Sequence, residues 1–402
     1  MKNNITIFLL CRAVSQIGDD MQDTVIPILI LEMTKSSKSF ASFIGFQDLF
    51  MLLVVIFAGY VTDIYDRKKN MVICDFINGS ITLFFLIFFK KNFYYILVFQ
   101  LSQMFFSKFF LASSSSLLVE IVPKDKLLKT TSKLNFYNTS ISTLAPAIAL
   151  FIYSRLGIRP ILIINVLSYF ISGFFECFIT YEHKKLEKIE SIITSYFSLF
   201  KHLKEKKTVL YLVAFALAIN TFLNPIPTII FPYIINIKLK LSAEYIGYYY
   251  LCFSIGLILG NLFIQKFPKI NLYKYIFLNG TLQIFSLFFT VILFAFFSNT
   301  YFFISIIAFS SILSGFINIL FTTPIFAYMR LSIDKTHLGK FGSFFNIAAL
   351  GLTPLAFYIT GILIAKFNAI TISILLLSIL LLIYMIFYIK GIRFKIDPIK
   401  NQ

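Results

Sequence analysis

Apolar residues in this chain neither alternate nor recur on one helical face. They run on for a full span, stop at a short polar stretch, and begin again. Crossing a hydrocarbon core as an α-helix takes about 20 apolar residues. Twelve stretches qualify, at roughly 5–32, 39–62, 71–89, 93–118, 131–154, 158–181, 209–236, 242–265, 272–296, 300–325, 341–365 and 369–389. A helix that is apolar all round is buried, either in a large protein core or in lipid. The short connectors leave no room for a soluble domain, so the pattern predicts an all-α integral membrane protein of twelve transmembrane helices.

The one long gap, Glu182 to Thr208, separates spans six and seven. It divides the chain into a six-helix bundle at 1–183, a loop at 184–207, a second six-helix bundle at 208–390 and a tail at 391–402. In the loop, Ile189, Ile192, Ile193, Tyr196, Phe197, Leu199, Phe200 and Leu203 recur at mostly helical spacing between Lys and Glu, which predicts an amphipathic helix lying on the membrane or the bundle. The halves echo one another. "FYNTSISTLAP" (Phe136–Pro146) and "FFNIAALGLTP" (Phe344–Pro354) share aromatic, Asn, Leu and Pro positions at an offset of 208 residues and fall in spans five and eleven. Pro27 and Pro232 make a second pair, at an offset of 205. Two pseudo-symmetric six-helix bundles with parallel halves are a known transporter plan. On it, Asn138, Pro146, Asn346 and Pro354 are candidates for bending their helices beside a cavity.

Composition agrees: 58% of the 402 residues are hydrophobic and only 13% charged, against about 25% charged in soluble domains. The net charge of +18 raises nucleic acid as a partner, but no basic arm or nucleic-acid-binding signature is present. The charge is a topology signal instead. With both termini in the cytoplasm, 25 of the 36 basic residues fall on the inner side and 9 on the outer, with Arg12 and Lys108 inside spans, as the positive-inside rule requires. The expected location is the plasma membrane, multi-pass. The first apolar run is too long and too charged for a signal-peptide core and is read as a retained helix. The four cysteines (Cys11, Cys74, Cys177, Cys252) sit in apolar runs without metal spacing. The three histidines are all in loops, and no zinc-protease, P-loop or dinucleotide fingerprint occurs. The reading is therefore of a protein that is not an enzyme and needs no cofactor.

The informative charges are inside the spans. An Asp, Lys or Arg at a helix centre costs roughly 2.5–3.5 kcal/mol on insertion, and span one holds four. Arg12, Gln16, Asp19 and Asp23 follow at intervals of 4, 3 and 4 residues on one stripe, with Asp20 beside it. Candidate counter-charges are Arg12 itself and Lys108 on span four, and Asp48 on span two is a further mid-span acid. Crowded carboxylates in low dielectric hold protons more tightly, so a proton relay or cation site is one reading. A static salt-bridge network fastening span one to span four is the other. Asp75 and Glu176 are read as structural, with Glu176 near the end of span six reaching the interface. Spans seven to twelve hold no deep acid or base, only amides such as Asn220 and Asn224, so any ion coupling belongs to the first half. The run Ser113–Ser116 has no histidine beside it and reads as small-residue helix packing.

A denser cluster, "GYVTDIYDRKKN" (Gly59–Asn70), joins spans two and three. Asp63 falls at a helix end, where backbone carbonyls already make the field negative, so it calls for a positive partner. Arg67 is one turn away, and the amino end of span eleven is another candidate. Such contacts can form in one state and break in the other, a bistable latch. The pattern Gly59-x-x-x-Asp63-x-x-x-Arg67-Lys68-Lys69 resembles the signature of the major facilitator superfamily, and the twelve spans resemble that fold over the whole chain. "SQIGDDMQDTVIPILILEMTKSS", "GYVTDIYDRKKNMVICD" and "SSLLVEIVPKDKLLKTTSKLN" are similar to the macrolide-efflux and siderophore-exporter branch. The resemblance implies that Gly59 lets helices pack closely, that Asp63 pairs with Arg67, and that Asp19 takes the Gly-Asp position of span one. It departs at Asp66, where glycine is usual, and near Gly256 and Gly260, where the second copy has lost its acid and bases.

The function this implies is a monomeric secondary transporter driven by the proton gradient, exporting small amphipathic compounds such as macrolides by alternating access. Its partners would be the substrate, protons and the bilayer, with no nucleic acid. A specific siderophore, lipid or nutrient carrier, or a transporter-like sensor that does not cycle, are the alternatives.

Overall fold

The structure, a computed structural model, describes residues 2–181, 203–204, 206–264, 272–296, 300–333, 344–345 and 347–393. No strand occurs among them. The helices are α1 Lys2–Thr34, α2 Ser37–Ile64, α3 Arg67–Ile87, α4 Phe93–Ile121, α5 Lys124–Leu156, α6 Ile158–Glu176, α7 Lys207–Leu223, α8 Ala243–Ile264, α9 Leu272–Phe296, α10 Thr300–Ser332, α11 Thr353–Lys366 and α12 Ala369–Arg393. Span seven continues past α7 through two π-helical turns, Ile226–Ile230 and Ile234–Lys238, on either side of one α-turn. Among the described residues, eleven helices are long and apolar enough to cross a membrane. The remaining one, α1, has the length at 33 residues but carries the charged stripe.

Two boundaries differ from the pattern. α5 begins at Lys124, directly after Pro123, so basic residues expected in a loop occupy its first turns. Pro ends the preceding helix and its fixed φ suits a helix start. Span eleven is interrupted: a turn at Gly351–Leu352 precedes α11, whose second residue is Pro354. In the matching stretch of α5 the helix runs unbroken through Pro146. Gly351 stands where Thr143 does in the first copy, and glycine is the weaker helix former. The segment 184–207, expected to form an amphipathic helix, lies almost wholly outside the described residues.

The chain divides into two compact units, Met1–Lys35 with Phe46–Glu190, and Ser36–Gly45 with Ser191–Gln402. In the first, α1 packs against α4, α5 and α6, and α3 against α4 and α6. α5 passes to α6 through Gly157 alone, at φ 75°, a conformation that costs other residues strain. In the second, α10 packs against α8 and α9, and α12 against α7 and α9. The first turns of α2 join this second unit: Ser37 Oγ donates to Gly361 O at 3.0 Å, and Gly361 leaves no room for a Cβ beside Ala41.

Lipid tails are as apolar as leucine, so helices in a bilayer associate by close packing and hydrogen bonds rather than by a hydrophobic drive. The second unit relies on close packing. Gly256 and Gly260 of α8 lie against the α10 backbone at Ile312 and Phe316, and Gly315 of α10 against the α8 backbone at Phe253. Phe215 of α7 lies among Phe277, Tyr384 and Phe387, with ring centroids 5.6, 5.2 and 4.9 Å away. Gly315→Leu should force α8 and α10 apart, costing about 1–3 kcal/mol or more. Thermal unfolding of the purified protein in detergent should show a midpoint lower by several degrees.

Candidate functional site

The first unit is held differently, through polar side chains. On α1, Arg12 is buried, Asp19 and Asp20 are half-buried and Asp23 is exposed. Each acid receives a neutral donor from a different helix. Tyr169 of α6 donates its hydroxyl to Asp19 Oδ1. Ser142 of α5 donates to Asp20 Oδ2 at 2.7 Å. Gln100 of α4 donates through Nε2 to Asp23 Oδ1. Gln16 fills the remaining place on the stripe, with Nε2 3.0 Å from Ser142 Oγ, 3.3 Å from Asn138 O and 3.4 Å from Asp20 Oδ2. Tertiary contact thus brings Asn138 to the acids through its backbone, while its Oδ1 is buried without a partner among the described residues.

Cations are fewer. Arg12 lies over the Phe110 ring, 5.1 Å from its centroid, and interacts electrostatically with Asp19, Asp20, Asp75 and Glu176. Lys108 of α4 interacts with Asp23 and with Asp48 of α2. The expected grouping of Arg12, Asp19, Asp20, Asp23, Asp48 and Lys108 is therefore one neighbourhood. Direct hydrogen bonds to the α1 acids come from Tyr169, Ser142, Gln16 and Gln100, of which only Gln16 was singled out from the sequence.

Beneath the acids runs a chain of amides that sequence reasoning missed. Asn165 of α6 donates to Gln22 Oε1 at 2.9 Å. Gln22 donates to Gln103 Oε1 and, at 3.4 Å, to Gln100 Oε1. Gln103 reaches Thr82 Oγ1 of α3 at 2.5 Å, and Asn78 of α3 donates to Ser107 Oγ of α4 at 3.1 Å. Four helices are joined through groups that have no other partner in lipid. The available signal was the spacing of Gln100 and Gln103, three residues apart on one helix face. α1 also meets α6 closely here, because Gly18 has no Cβ to strike Asn165 and Ser168.

The polar cluster after α2 is the second candidate region. Gly59 and Asp63 are in the helical backbone of α2, but their side chains lie outside the described residues. Arg67 forms an ion pair with Glu120 at the end of α4, and Tyr181 donates its hydroxyl to the other oxygen of Glu120. Lys68 Nζ donates to Cys177 O at 2.8 Å. Asp66, noted from sequence only as a departure, caps α3: its Oδ1 accepts from Lys69 N at 3.0 Å. An N-cap of this kind is worth about 1 kcal/mol. One expectation is corrected. Glu176 does not reach the interface. It is 1% exposed, as is Asp75, because α6 packs along α3 and Gly173 lets the two helices close in at Asp75.

In the second unit, Asn220 Nδ2 of α7 donates to Ala349 O at 3.2 Å and Asn224 donates to Asn220 Oδ1 at 3.3 Å, next to the break before α11. Pro354 is buried just beyond that break, and Asn346 lies outside the described residues. Among the described residues no group of three or more His, Cys, Asp or Glu is placed to hold a metal ion.

Gln22→Leu would leave Asn165 and Gln103 short of partners inside the bundle. Each orphaned polar group costs about 1–3 kcal/mol, so the variant should unfold several degrees earlier in a detergent melt than the wild type.

A sequence model described as Major Facilitator Superfamily matches residues 8–353. No curated protein matches the chain. Among solved structures, a bacterial homologue of the iron transporter ferroportin in an inward-facing state is similar at TM-score 0.73 and 16% identity, covering 96% of this chain and 99% of that one. The nucleoside transporter NupG is similar at TM-score 0.67 and 14% identity, covering 96% and 98%. The POT family transporter PepTSo follows at 0.71 and 10%, covering 98% of each. Identities this low carry the fold and not the substrate. With an all-helical arrangement in two units among the described residues and a family match over nearly its whole length, the chain belongs to the Major Facilitator Superfamily, a multi-pass membrane protein of transporter fold.

Proposed function

We propose that this protein is a secondary transporter that couples proton movement to export of amphipathic compounds, macrolides being the substrate class suggested by the resemblance of its motifs. It works in the plasma membrane by alternating access, with both termini in the cytoplasm, as a monomer, and without a cofactor.

One observation carries the reading: three carboxyls on α1 are met by neutral donors, Tyr169, Ser142 and Gln100, rather than by paired cations. A neutral donor orients a carboxyl without cancelling its charge. A carboxyl so placed is free to take up and give back a proton, which is the exchange a coupled transporter needs. Asp23 is exposed and Asp19 half-buried, so protons can exchange with water at one end of the stripe and be held at the other. Arg12 and Lys108, at either side, set how many of the acids can be ionised together. The ion pair Arg67–Glu120 and the α3 cap at Asp66 hold the region of the signature motif in one arrangement. That region is the candidate gate, with Gly59, Asp63 and Lys68 as its other members.

The test is transport in proteoliposomes under an imposed pH gradient, with a macrolide and a hydrophobic cationic dye as probes. Wild-type protein should move at least one probe against its gradient, in the direction opposite to protons. Asp19→Asn should reduce that flux at least tenfold, about the effect of 1.4 kcal/mol or more on the coupled step. Probe movement that follows protons inward would mean an importer of a specific solute. A flux indifferent to pH and to Asp19→Asn removes proton coupling altogether.

A further inference from the structure

Two carboxyls play no part in that reading. Asp75, in the middle of α3, and Glu176, the last residue of α6, are each 1% exposed, more deeply buried than any acid on α1. Their helices meet closely: a Cβ on Gly173 would lie 3.3 Å from Asp75 Cβ. The two carboxyls interact electrostatically with each other. The Ser172 hydroxyl, 3.3 Å from Glu176 Oε1, is the donor that serves this pair, and it also acts electrostatically on Asp75. A hydroxyl supplies a single proton. Asp75 Oδ2 and Glu176 Oε2 are left buried with no hydrogen-bond partner among the described residues.

The groups facing the pair are few. From α1 come the Arg12 guanidinium and the Cys11 thiol, with Asp19 beyond them. From α3 comes Cys74. From α4 comes Phe110, on whose ring Arg12 rests. Arg12 is 9% exposed and its Nε has no hydrogen-bond partner among the described residues. It is a buried cation within electrostatic reach of two buried acids, with no ion pair or hydrogen bond to either among the described residues. An apolar plug closes the side away from Asp19: Phe8 and Leu9 of α1, Met71 of α3, Leu117 and Leu118 of α4, and Ile179.

The charges do not balance. Arg12 supplies one positive charge and two ionised carboxyls supply two negative ones. Burying an unpaired charge is strongly unfavourable, whereas a neutral hydrogen-bonded group is tolerated. Two acids held against each other in such a site titrate as a pair, the first proton being held jointly. That proton also provides the hydrogen-bond donor that the two orphan oxygens lack.

We propose that Asp75 and Glu176 bind one proton between them, forming with Arg12 an electrically neutral triad: a second proton site in the wall of the first unit, behind Asp19. The site is closed toward the plug, so its proton arrives and leaves by way of Asp19. Because Asp75, Glu176 and Asp19 all act on Arg12, the occupancy of the pair sets how much of the arginine's charge is available to the α1 acids. The proton site stands whatever compound is moved; its use in transport rests on the proton-coupled reading above.

Infrared difference spectroscopy on the full-length protein in lipid tests this directly, through the carbonyl stretch of a protonated carboxyl. At neutral pH the wild type should show such a band. Asp75→Asn and Glu176→Gln should each remove about one carboxyl's worth of intensity, since either leaves a single carboxylate facing Arg12. Asp19→Asn should retain the intensity that Asp75→Asn and Glu176→Gln remove, whatever it loses of its own. Intensity unchanged in both single variants, or that same intensity lost in Asp19→Asn, overturns the proposal. Should neither single variant fold, Glu176→Asp decides, because it keeps the carboxyl but alters its geometry. The band must then shift, and an unmoved band counts against the pair. A band present in protein that exports no probe leaves this site intact and removes only the transport reading. Proton-driven export with no such band does the reverse.

Discussion

The first unit is organised around a charged stripe on a helix that has to stand in lipid. Arg12, Asp19, Asp20 and Asp23 lie within four turns of α1, and each would cost several kcal/mol if left alone in hydrocarbon. The neighbouring helices are placed to prevent that. α4 brings Gln100 and Lys108, α5 brings Ser142, and α6 brings Tyr169 and Asn165. Gly18 lets α6 come close enough for its polar groups to reach. Packing and chemistry are the same requirement here. Helices that solvate the stripe are also the helices that bury it.

The second unit answers the problem of association in lipid by other means. It has aromatic rings around Phe215 and a backbone-close crossing of α8 and α10 at Gly256, Gly260 and Gly315. Its polar contacts between helices include amide to carbonyl at Asn220 and Ala349, amide to hydroxyl at Gln283 and Ser314, and hydroxyl to carbonyl at Tyr384 and Ile276. The two units are therefore chemically unequal: the first carries ionisable side chains inside its helices, the second is held largely by rings, close backbone contacts and neutral polar groups. The turn at Gly351–Leu352 belongs to the second unit only, where the corresponding helix in the first runs straight.

The motif between α2 and α3 illustrates where reading residues in order stops. One turn of spacing suggested Asp63 as the partner of Arg67. Asp63's side chain lies outside the described residues, and the partner the structure does show for Arg67 is Glu120, 53 residues away, which no local spacing announces. Asp66, which looked like a departure from the family pattern, is the cap that starts α3. Glu176 looked like an interfacial residue because it stands near the end of an apolar run. Position along a helix does not say which face a side chain is on, and that face is turned to Asp75 and Arg12.

The twelve helices, their near-boundaries and the concentration of charge in span one were legible in the sequence, because hydrocarbon imposes a length and a composition on every segment independently. The family followed from the same pattern plus one loop. The partners of the charges were not legible. Tyr169, Ser142, Gln100 and Gln22 are ordinary polar residues in apolar runs, and nothing local distinguishes them from Ser80 or Ser102, which bond to their own helix. What separates them is the rotation of each helix about its axis. That rotation is set jointly by glycine contacts such as Gly18 and Gly173 and by the cost of leaving a buried polar group unpaired. Only the packed structure brings those terms together, and so only it decides that Asp75 and Glu176 are buried against one another within electrostatic reach of Arg12.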